Sequence, residues 1–254
     1  MYRLSNEFAR RRYTVTVVGC GGTGGFAAEG LCRILPRDAD LVLVDHDRVE
    51  ERNLTRQCFL REDLEWFKSE TVAHRLAHNF NRPVGYSTLP VSMTKLSFPG
   101  VVIGCVDNGL ARRDIARAFK DMMRESHEIS WWVDAGNGEN YGQVIIGNTD
   151  IAEYLLPTYV DGDIYGGLPL PTTQKPELLL QTPTARDCTS IAEEQGPTIN
   201  LTMAAIVVEV VRRLIAGTCP WVQLYIDMEA GTLVPVLATP ETVNSLRKRK
   251  GGKP

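Results

Sequence analysis

The sequence predicts an α/β fold: a doubly wound, Rossmann-like, mostly parallel sheet with helices on both faces and a C-terminal β-hairpin extension. Three observations lead to this prediction. Short apolar runs alternate with segments of helical periodicity over about the first 147 residues, as is typical of parallel strands that are buried on both faces. A glycine-rich turn follows the first apolar run. Two further apolar runs, separated by a short turn, follow a long apolar helix near the end of the sequence.

Length and composition indicate a globular chain with one large core. It has 254 residues, a formal net charge of −3 and six cysteines without a C-x-x-C pair. The balanced charge creates no field that favours nucleic acid or an anionic membrane. No apolar run approaches the roughly 20 residues that a membrane helix requires. We therefore expect a single cytoplasmic domain over 1–254 with no structural zinc, no nucleic-acid partner and no membrane partner.

The nucleotide-binding core is predicted over about 10–147. Apolar runs bounded by turn residues are its predicted strands: 14–18, 41–44, 84–90, 101–106, 131–134 and 143–146. Segments with apolar residues three and four apart are its predicted helices: the glycine-rich turn to about Leu35, 69–79 and about 109–123.

The pattern changes after about residue 150. A crossover loop is expected over 157–187, where several prolines and glycines occur without clear periodicity, which argues against simple packing. The strongly apolar stretch 198–215 predicts a helix, and 222–237 predicts a hairpin that turns at 229–232. The tail 241–254 contains a basic cluster and two glycines, and we expect it to be disordered.

The turn Gly19-Cys20-Gly21-Gly22-Thr23-Gly24 fits the pattern G-x-G-x-x-G between a strand and a helix. The start of such a helix offers free N–H groups and partial positive charge to a phosphate. Asp45 falls 21 residues after Gly24, at the end of the next strand. Its carboxylate can accept hydrogen bonds from ribose hydroxyls there. These features suit NAD and ATP equally well.

Polar residues that follow the later strands favour ATP. The carboxyl ends of parallel strands meet in one crevice, and the candidates that could point into it are Asn53, Arg56, Lys68 and Asp107. Two cations and a carboxylate suit a triphosphate with Mg²⁺, whereas a nicotinamide-dependent oxidoreductase leaves them unexplained. In isolation, Arg56 and Lys68 could be ordinary surface charges. Asp107 could simply cap the helix that follows it.

A longer pattern carries a resemblance to a known family. Asp45 to Gln57 reads D-x-D-x-V-x-x-x-N-L-x-R-Q, and a lysine and Val106-Asp107-Asn108 follow it. With the glycine motif, this resembles the ThiF/MoeB family, related to the ubiquitin-activating E1 enzymes, clearly over about 10–147 and less so over 186–216. The length and the run Cys188…Glu194-Gln195…Asn200 resemble the ThiF-related branch of the bacterial ParB-related, ThiF-related cassette (PRTRC).

The resemblance implies an E1-like adenylyltransferase. Such an enzyme uses ATP and Mg²⁺ to adenylate the C-terminal carboxylate of a small ubiquitin-like, β-grasp carrier protein. The resemblance implies that Asp45 binds ribose, that Asn53, Arg56 and Lys68 contact phosphates, and that Asp107 holds the metal. Further nucleotide-binding positions that it implies are Gly19, Gly21, Gly22, Gly24, Asp47 and Gln57.

The resemblance also implies a homodimer, for which the apolar helices at 109–123 and 198–215 offer surface. In the family an arginine before the first strand reaches the neighbouring subunit's ATP. The candidates here are Arg10, Arg11 and Arg12. A non-catalytic scaffold that binds a nucleotide and a partner, as in some paired E1 subunits, is the alternative for the whole chain.

Cys188 is the candidate for receiving the acyl group after adenylation. It precedes the apolar helix as the loop cysteine of the family does, and its neighbours are polar. Arg186 would favour its thiolate form, and Asp187 would oppose it. The competing interpretation is an incidental small residue at a helix start.

Overall fold

A computed structural model describes residues 2–3, 13–96, 99–125, 130–151, 158–160, 163–180 and 196–248. Its strands are β1 (Tyr2–Arg3), β2 (Thr14–Val18), β3 (Asp40–Val44), β4 (Gly85–Ser87), β5 (Gly100–Gly104), β6 (Trp131–Asn137), β7 (Tyr141–Gly147), β8 (Thr158–Val160), β9 (Asp163–Tyr165), β10 (Trp221–Asp227) and β11 (Thr232–Leu237). Its α-helices are α1 (Gly22–Ile34), α2 (Lys68–Phe80), α3 (Gly109–Glu125), α4 (Pro171–Gln174), α5 (Pro197–Ile215) and α6 (Pro240–Lys248).

Eight strands form the central sheet in the order β11-β10-β7-β6-β5-β2-β3-β4. The five strands from β2 to β6 are parallel, and β7, β10 and β11 extend the sheet in antiparallel fashion. The chain runs outward from β2 to β4 and then returns to β5 on the other side of β2. Such a reversal of strand order opens a crevice at the carboxyl ends of the two central strands. The predicted fold class, with its C-terminal hairpin, is confirmed.

The central strands β2 and β5 are buried along almost their whole length because helices cover both faces of the sheet. Val15 and Val17 of β2 pack in the core beneath α1, α2 and α5, whereas Val18 belongs to a second core with α3 and Leu170 on the other face. Trp131 and Trp132 follow one another on β6 and are buried in these two separate cores. Both tryptophans are therefore core residues, in agreement with successive side chains pointing to opposite faces of a strand.

The apolar residues of α3 and α5 pack inside this chain. Ile115 and Phe119 of α3 are fully buried, as are Met203 and Val207 of α5. α5 packs extensively against α1. The helix surface that the sequence analysis assigned to a dimer interface is therefore largely used by the intramolecular core.

The crossover segment is more ordered than the sequence predicts. Within 157–187, the described part contains β8, β9, α4 and a 3₁₀-helix over Pro176–Leu179. Leu168 and Leu170 are fully buried, so the expectation that this segment lacks simple packing is wrong for them. β9 also pairs in parallel with β1, which joins the N-terminal strand to the crossover.

The expected disorder from residue 241 is also wrong for the described part of the tail, because α6 occupies Pro240–Lys248. Val243 and Leu246 lie three residues apart and are both buried. The Thr239 hydroxyl accepts a hydrogen bond from the Thr242 backbone N–H at 3.2 Å and so begins the helix. Among the described helices, none combines the length and apolar character needed to cross a membrane.

Candidate functional site

The glycine-rich turn connects β2 to α1 at the crevice. Gly19 has a φ of +90°, and a Cβ at this position would collide with the carbonyl oxygen of Cys105 at the end of β5. Only glycine fits here without strain. α1 begins at Gly22, and no side chain in the described ranges caps its start. Its first N–H groups and its helix dipole therefore point toward the crevice.

Asp45 directly follows β3 and holds the glycine-rich turn. Its Oδ2 accepts a hydrogen bond from the backbone N–H of Cys20 at 2.6 Å, and its Oδ1 accepts one from the N–H of Asp47 at 2.9 Å. Burial raises the pKa of this carboxyl, while the nearby Lys68 charge lowers it. A carboxylate has about four lone-pair directions. Asp45 can therefore hold the turn and still accept a hydrogen bond from a ligand.

Lys68 and Arg56 are not surface charges. Each is only 8% exposed, so that interpretation is wrong. Lys68 begins α2, and its Nζ lies 3.1 Å from Asp47 Oδ2. Burial lowers the pKa of Arg56, the nearby Arg52 charge lowers it further, and Asp107 opposes that change. The charge of Asp107 thus acts on Arg56, although 51 positions separate the two residues in the sequence.

The loop before Lys68 carries two further residues that were predicted to bind the nucleotide, Asn53 and Gln57. Asn53 is buried and accepts a hydrogen bond from the Glu50 N–H through Oδ1, at 2.9 Å. Gln57 lies against the turn, since a Cβ on Gly21 would stand 3.7 Å from its terminal amide. Within the described residues, Gln57 Oε1 is buried and has no hydrogen-bond partner. A buried, unsatisfied amide at a glycine-rich turn is typical of a group that awaits a ligand.

Asp107 follows β5 and is exposed. It does not cap α3, because Asn108 Oδ1 accepts the hydrogen bond from the Ala111 N–H at 2.8 Å. The Asn108 amide also donates to Asp107 Oδ1 at 3.1 Å. Asp107 thus remains available at the crevice.

Three residues that could ligate a metal ion lie close together at the end of β3. Ligand atoms of Asp45, His46 and Asp47 lie within 4.8 Å of one another. Asp45 is engaged with the turn and Asp47 with Lys68. The hydrogen bond to Cys20 and the ion pair with Lys68 account for the positions of these two carboxylates without a metal ion. Asp107 therefore remains the predicted metal ligand.

Cys188 and the three arginines Arg10, Arg11 and Arg12 lie outside the described residues. Their roles remain predictions.

Sequence reasoning missed a buried ion pair beneath the crevice. Arg112 Nε lies 3.0 Å from Asp134 Oδ2, and the side chains are 1% and 0% exposed. Burial raises the pKa of Asp134 to about 6, and Arg112 opposes this shift. A signal was present, because Asp134 follows an apolar strand run as Asp45 and Asp107 do.

Sequence reasoning also missed a network of neutral side chains at the start of α1. It joins Thr23, Asn137 and Asn200. Thr23 belongs to the glycine motif and Asn200 to the family-like run, but the three residues come from distant parts of the sequence and no local pattern predicts that they meet.

The sequence has clear relatives. The model of the ThiF family matches residues 9–218. Ubiquitin-like modifier-activating enzyme 5 of Arabidopsis thaliana is 29% identical over 151 residues, which cover 51% of this chain and 33% of that protein. The Caenorhabditis elegans protein of the same name is 32% identical over 154 residues, which cover 54% of this chain and 35% of that protein. The chain thus spans about a third of the length of these curated relatives.

Solved structures share the fold. A structure of PaaA superposes with a TM-score of 0.64 at 18% identity, covering 92% of this chain and 75% of that chain. Escherichia coli MccB with ATP superposes with a TM-score of 0.61 at 16% identity, covering 91% of this chain and 65% of that chain. At such identities the likeness establishes the architecture alone.

Proposed function

Since this chain belongs to the ThiF family, we propose that it adenylates the C-terminal carboxylate of a small ubiquitin-like, β-grasp carrier protein with ATP. The sequence relatives support this, since they are named ubiquitin-like modifier-activating enzymes. The structural relative MccB has been crystallised with ATP and, separately, with MccA. The function itself has to be argued from the residues of this chain.

The observation that carries the proposal is the burial of Arg56 and Lys68 beside the glycine-rich turn. A buried cation has lost most of its hydration, and a nearby anion has to replace it. Asp47 supplies one negative charge to Lys68. A polyphosphate at the uncapped start of α1 would supply several more, within reach of both cations. A dinucleotide carries only two phosphate charges and needs no metal, so it would leave Asp107 without a role.

In the proposed reaction, a carboxylate oxygen of the carrier attacks the α-phosphorus of ATP. The bond from that phosphorus to the bridging oxygen breaks, and pyrophosphate leaves with the electron pair. Nucleophile and target are both anionic, so their repulsion has to be cancelled beforehand. Arg56, Lys68 and the N–H groups of the turn would do this, and they would also stabilise the charge that develops on pyrophosphate. The nucleophile is already ionised and needs no general base.

Asp107 would hold Mg²⁺, since it is exposed at the crevice and offers the hard oxygen ligand that this ion prefers. Within the described residues only its Oδ1 is engaged, by Asn108. When bound, the ion supplies charge neutralisation to the phosphates. Asp45 would accept hydrogen bonds from the ribose hydroxyls, and the Gln57 amide would face the nucleotide.

Within the family, we place the chain in the ThiF-related branch of the ParB-related, ThiF-related cassette, on the pattern Cys188…Glu194-Gln195…Asn200. The proposal includes acyl transfer to Cys188 after adenylation: the thiolate attacks the acyl carbon, the bond from that carbon to the phosphate oxygen breaks, and AMP leaves with the electron pair. A Cys188→Ala variant should retain ATP–pyrophosphate exchange and lose any thiol-labile adduct with the carrier. An adduct that survives in this variant would exclude Cys188 as the nucleophile.

ATP–pyrophosphate exchange tests the function as a whole. Small β-grasp proteins that end in Gly-Gly, taken from the same genome, serve as candidate carriers. Exchange is expected with one of them and not with the same carrier amidated at its C-terminus. ATP binding without exchange for any candidate would favour the scaffold alternative. If NAD competed with ATP for binding, the result would favour a nicotinamide-dependent oxidoreductase.

A further inference from the structure

Asn200 lies in the first turn of α5, and 1% of its surface is exposed. Its sequence neighbours on the inner face, Ile199 and Met203, pack in the apolar core. A polar side chain in such a position costs stability unless its hydrogen bonds are made. The bonds of Asn200 all lead to the proposed phosphate end of the site.

The Asn200 side chain joins two segments at opposite sides of the glycine-rich turn. Its Nδ2 donates a hydrogen bond to the backbone carbonyl of Arg56 at 3.1 Å. Its Oδ1 accepts one from Asn137 Nδ2 at the end of β6, at 3.0 Å. Asn137 Oδ1 in turn accepts one from the Thr23 hydroxyl in the first turn of α1, at 3.1 Å.

Asn200 also touches the turn itself. A Cβ on Gly22 would collide with the Asn200 amide. The absence of a side chain at residue 22 therefore makes room for Asn200. One carboxamide thus fixes the spacing between the start of α1 and the segment that carries Arg56.

We infer that Asn200 is a positioning residue for the phosphate end of the nucleotide site, a role that rests on the proposed function. It holds the Arg56 segment at a set distance from the N–H groups of α1. A phosphate contacts both, so a change in this distance weakens phosphate binding. The adenosine end depends on Asp45, which bonds to Cys20 and Asp47 and has no bond to Asn200.

The test compares ATP with adenosine, which has no phosphate, as ligands of the full chain. Asn200→Ala should weaken ATP binding roughly tenfold, the scale of one lost positioning contact. The affinity of the Asn200→Ala variant for adenosine should change by less than about twofold. Titration calorimetry suits ATP, and ligand-detected NMR suits the weaker adenosine.

Two further variants separate positioning from packing. Asn200→Asp keeps the side-chain volume but replaces the donor to the Arg56 carbonyl by an acceptor, and it should show the same selective loss. Thr202→Ala is the matched control, since the Thr202 hydroxyl bonds to Thr198 O within α5. It should leave both affinities unchanged.

Asn137→Ala serves if the Asn200 variants fail to fold, because Asn137 is only half-buried and belongs to the same network. It too should weaken ATP and spare adenosine. The inference would be overturned if these variants lost affinity for ATP and adenosine equally, or if they lost no affinity for ATP. A wild-type chain that binds no ATP would refute the proposed function, and the inference with it.

Discussion

Several charged residues in and beneath this site are buried. Lys68 and Arg56 lie near the glycine-rich turn, and Arg112 and Asp134 pair beneath the crevice. Removing an ion from water is costly, so each of these groups needs a nearby opposite charge. Asp134 meets this need inside the protein. Lys68 has Asp47 beside it, and in the proposed function an anionic ligand adds further negative charge beside Lys68 and Arg56.

Removing either cation should therefore impair the proposed reaction. Arg56→Ala or Lys68→Ala should lower pyrophosphate exchange by roughly 100-fold, the scale of one preorganised charge contact in a transition state. Initial exchange rates at saturating carrier measure the effect. Arg61→Ala is the control, because the Arg61 side chain is 78% exposed and pairs with Glu51 at the surface. If both variants exchanged pyrophosphate at the wild-type rate, Arg56 and Lys68 would have no role in the reaction.

Asp134 should make stability depend on pH. Its pKa rises from an ordinary 3.8 to about 6 because it is buried, so the folded chain holds a proton that the unfolded chain releases. Its contribution is complete below about pH 4 and is lost as pH rises through about 6, a change of roughly 3 kcal/mol.

Urea unfolding of the wild type and of Asp134→Asn, between pH 4 and 7, measures this dependence. The stability of the wild type relative to the variant should fall as pH rises. Glu177→Gln alters an exposed carboxylate and is the control. A difference that stays constant with pH would contradict the raised pKa.

At the scale of helices and strands, burial on both faces made the sheet predictable. A parallel strand between two helical layers has to be apolar along its length, so β2 and β3 lie within a residue of their predicted positions. Asp45 and Lys68 could be found because they stand where such elements end and begin. The contact between Asn137 and Asn200 could not, since it joins β6 to α5 across 63 positions. α6 was missed because, among its described side chains, only Val243 and Leu246 are buried, which leaves a weak apolar pattern.

The anchoring residues of α6 give a test of that helix. Leu246→Ala should lower the free energy of unfolding by about 2–4 kcal/mol, because it leaves a cavity where a buried side chain packed. Ser245→Ala changes the exposed neighbouring position and should cost little. Chemical denaturation of the full chain measures the free energy of unfolding of both variants. Equal stability of the two variants would mean that α6 does not pack in solution.

The whole molecule is predicted to be a homodimer, as the family resemblance implies. Because α3 and α5 bury their apolar residues internally, an interface has to use other surfaces. Exposed apolar residues on β11 are Leu233, Val234 and Leu237. Light scattering should give twice the 28.2 kDa of one chain at micromolar concentration. A mass of one chain would refute the dimer and, with it, a site completed by a neighbouring arginine.

The packing of α5 on α1 has a consequence for how the protein is made. The ribosome releases the glycine-rich turn early, but Asn200 and the helix that covers α1 emerge only after most of the chain has been synthesised. β2 likewise waits for β5, its partner from beyond residue 99. Long-range closure of this kind slows folding. The glycine-rich turn therefore gains its folded surroundings only once α5 has been translated, and nucleotide binding at the proposed site would depend on that late segment.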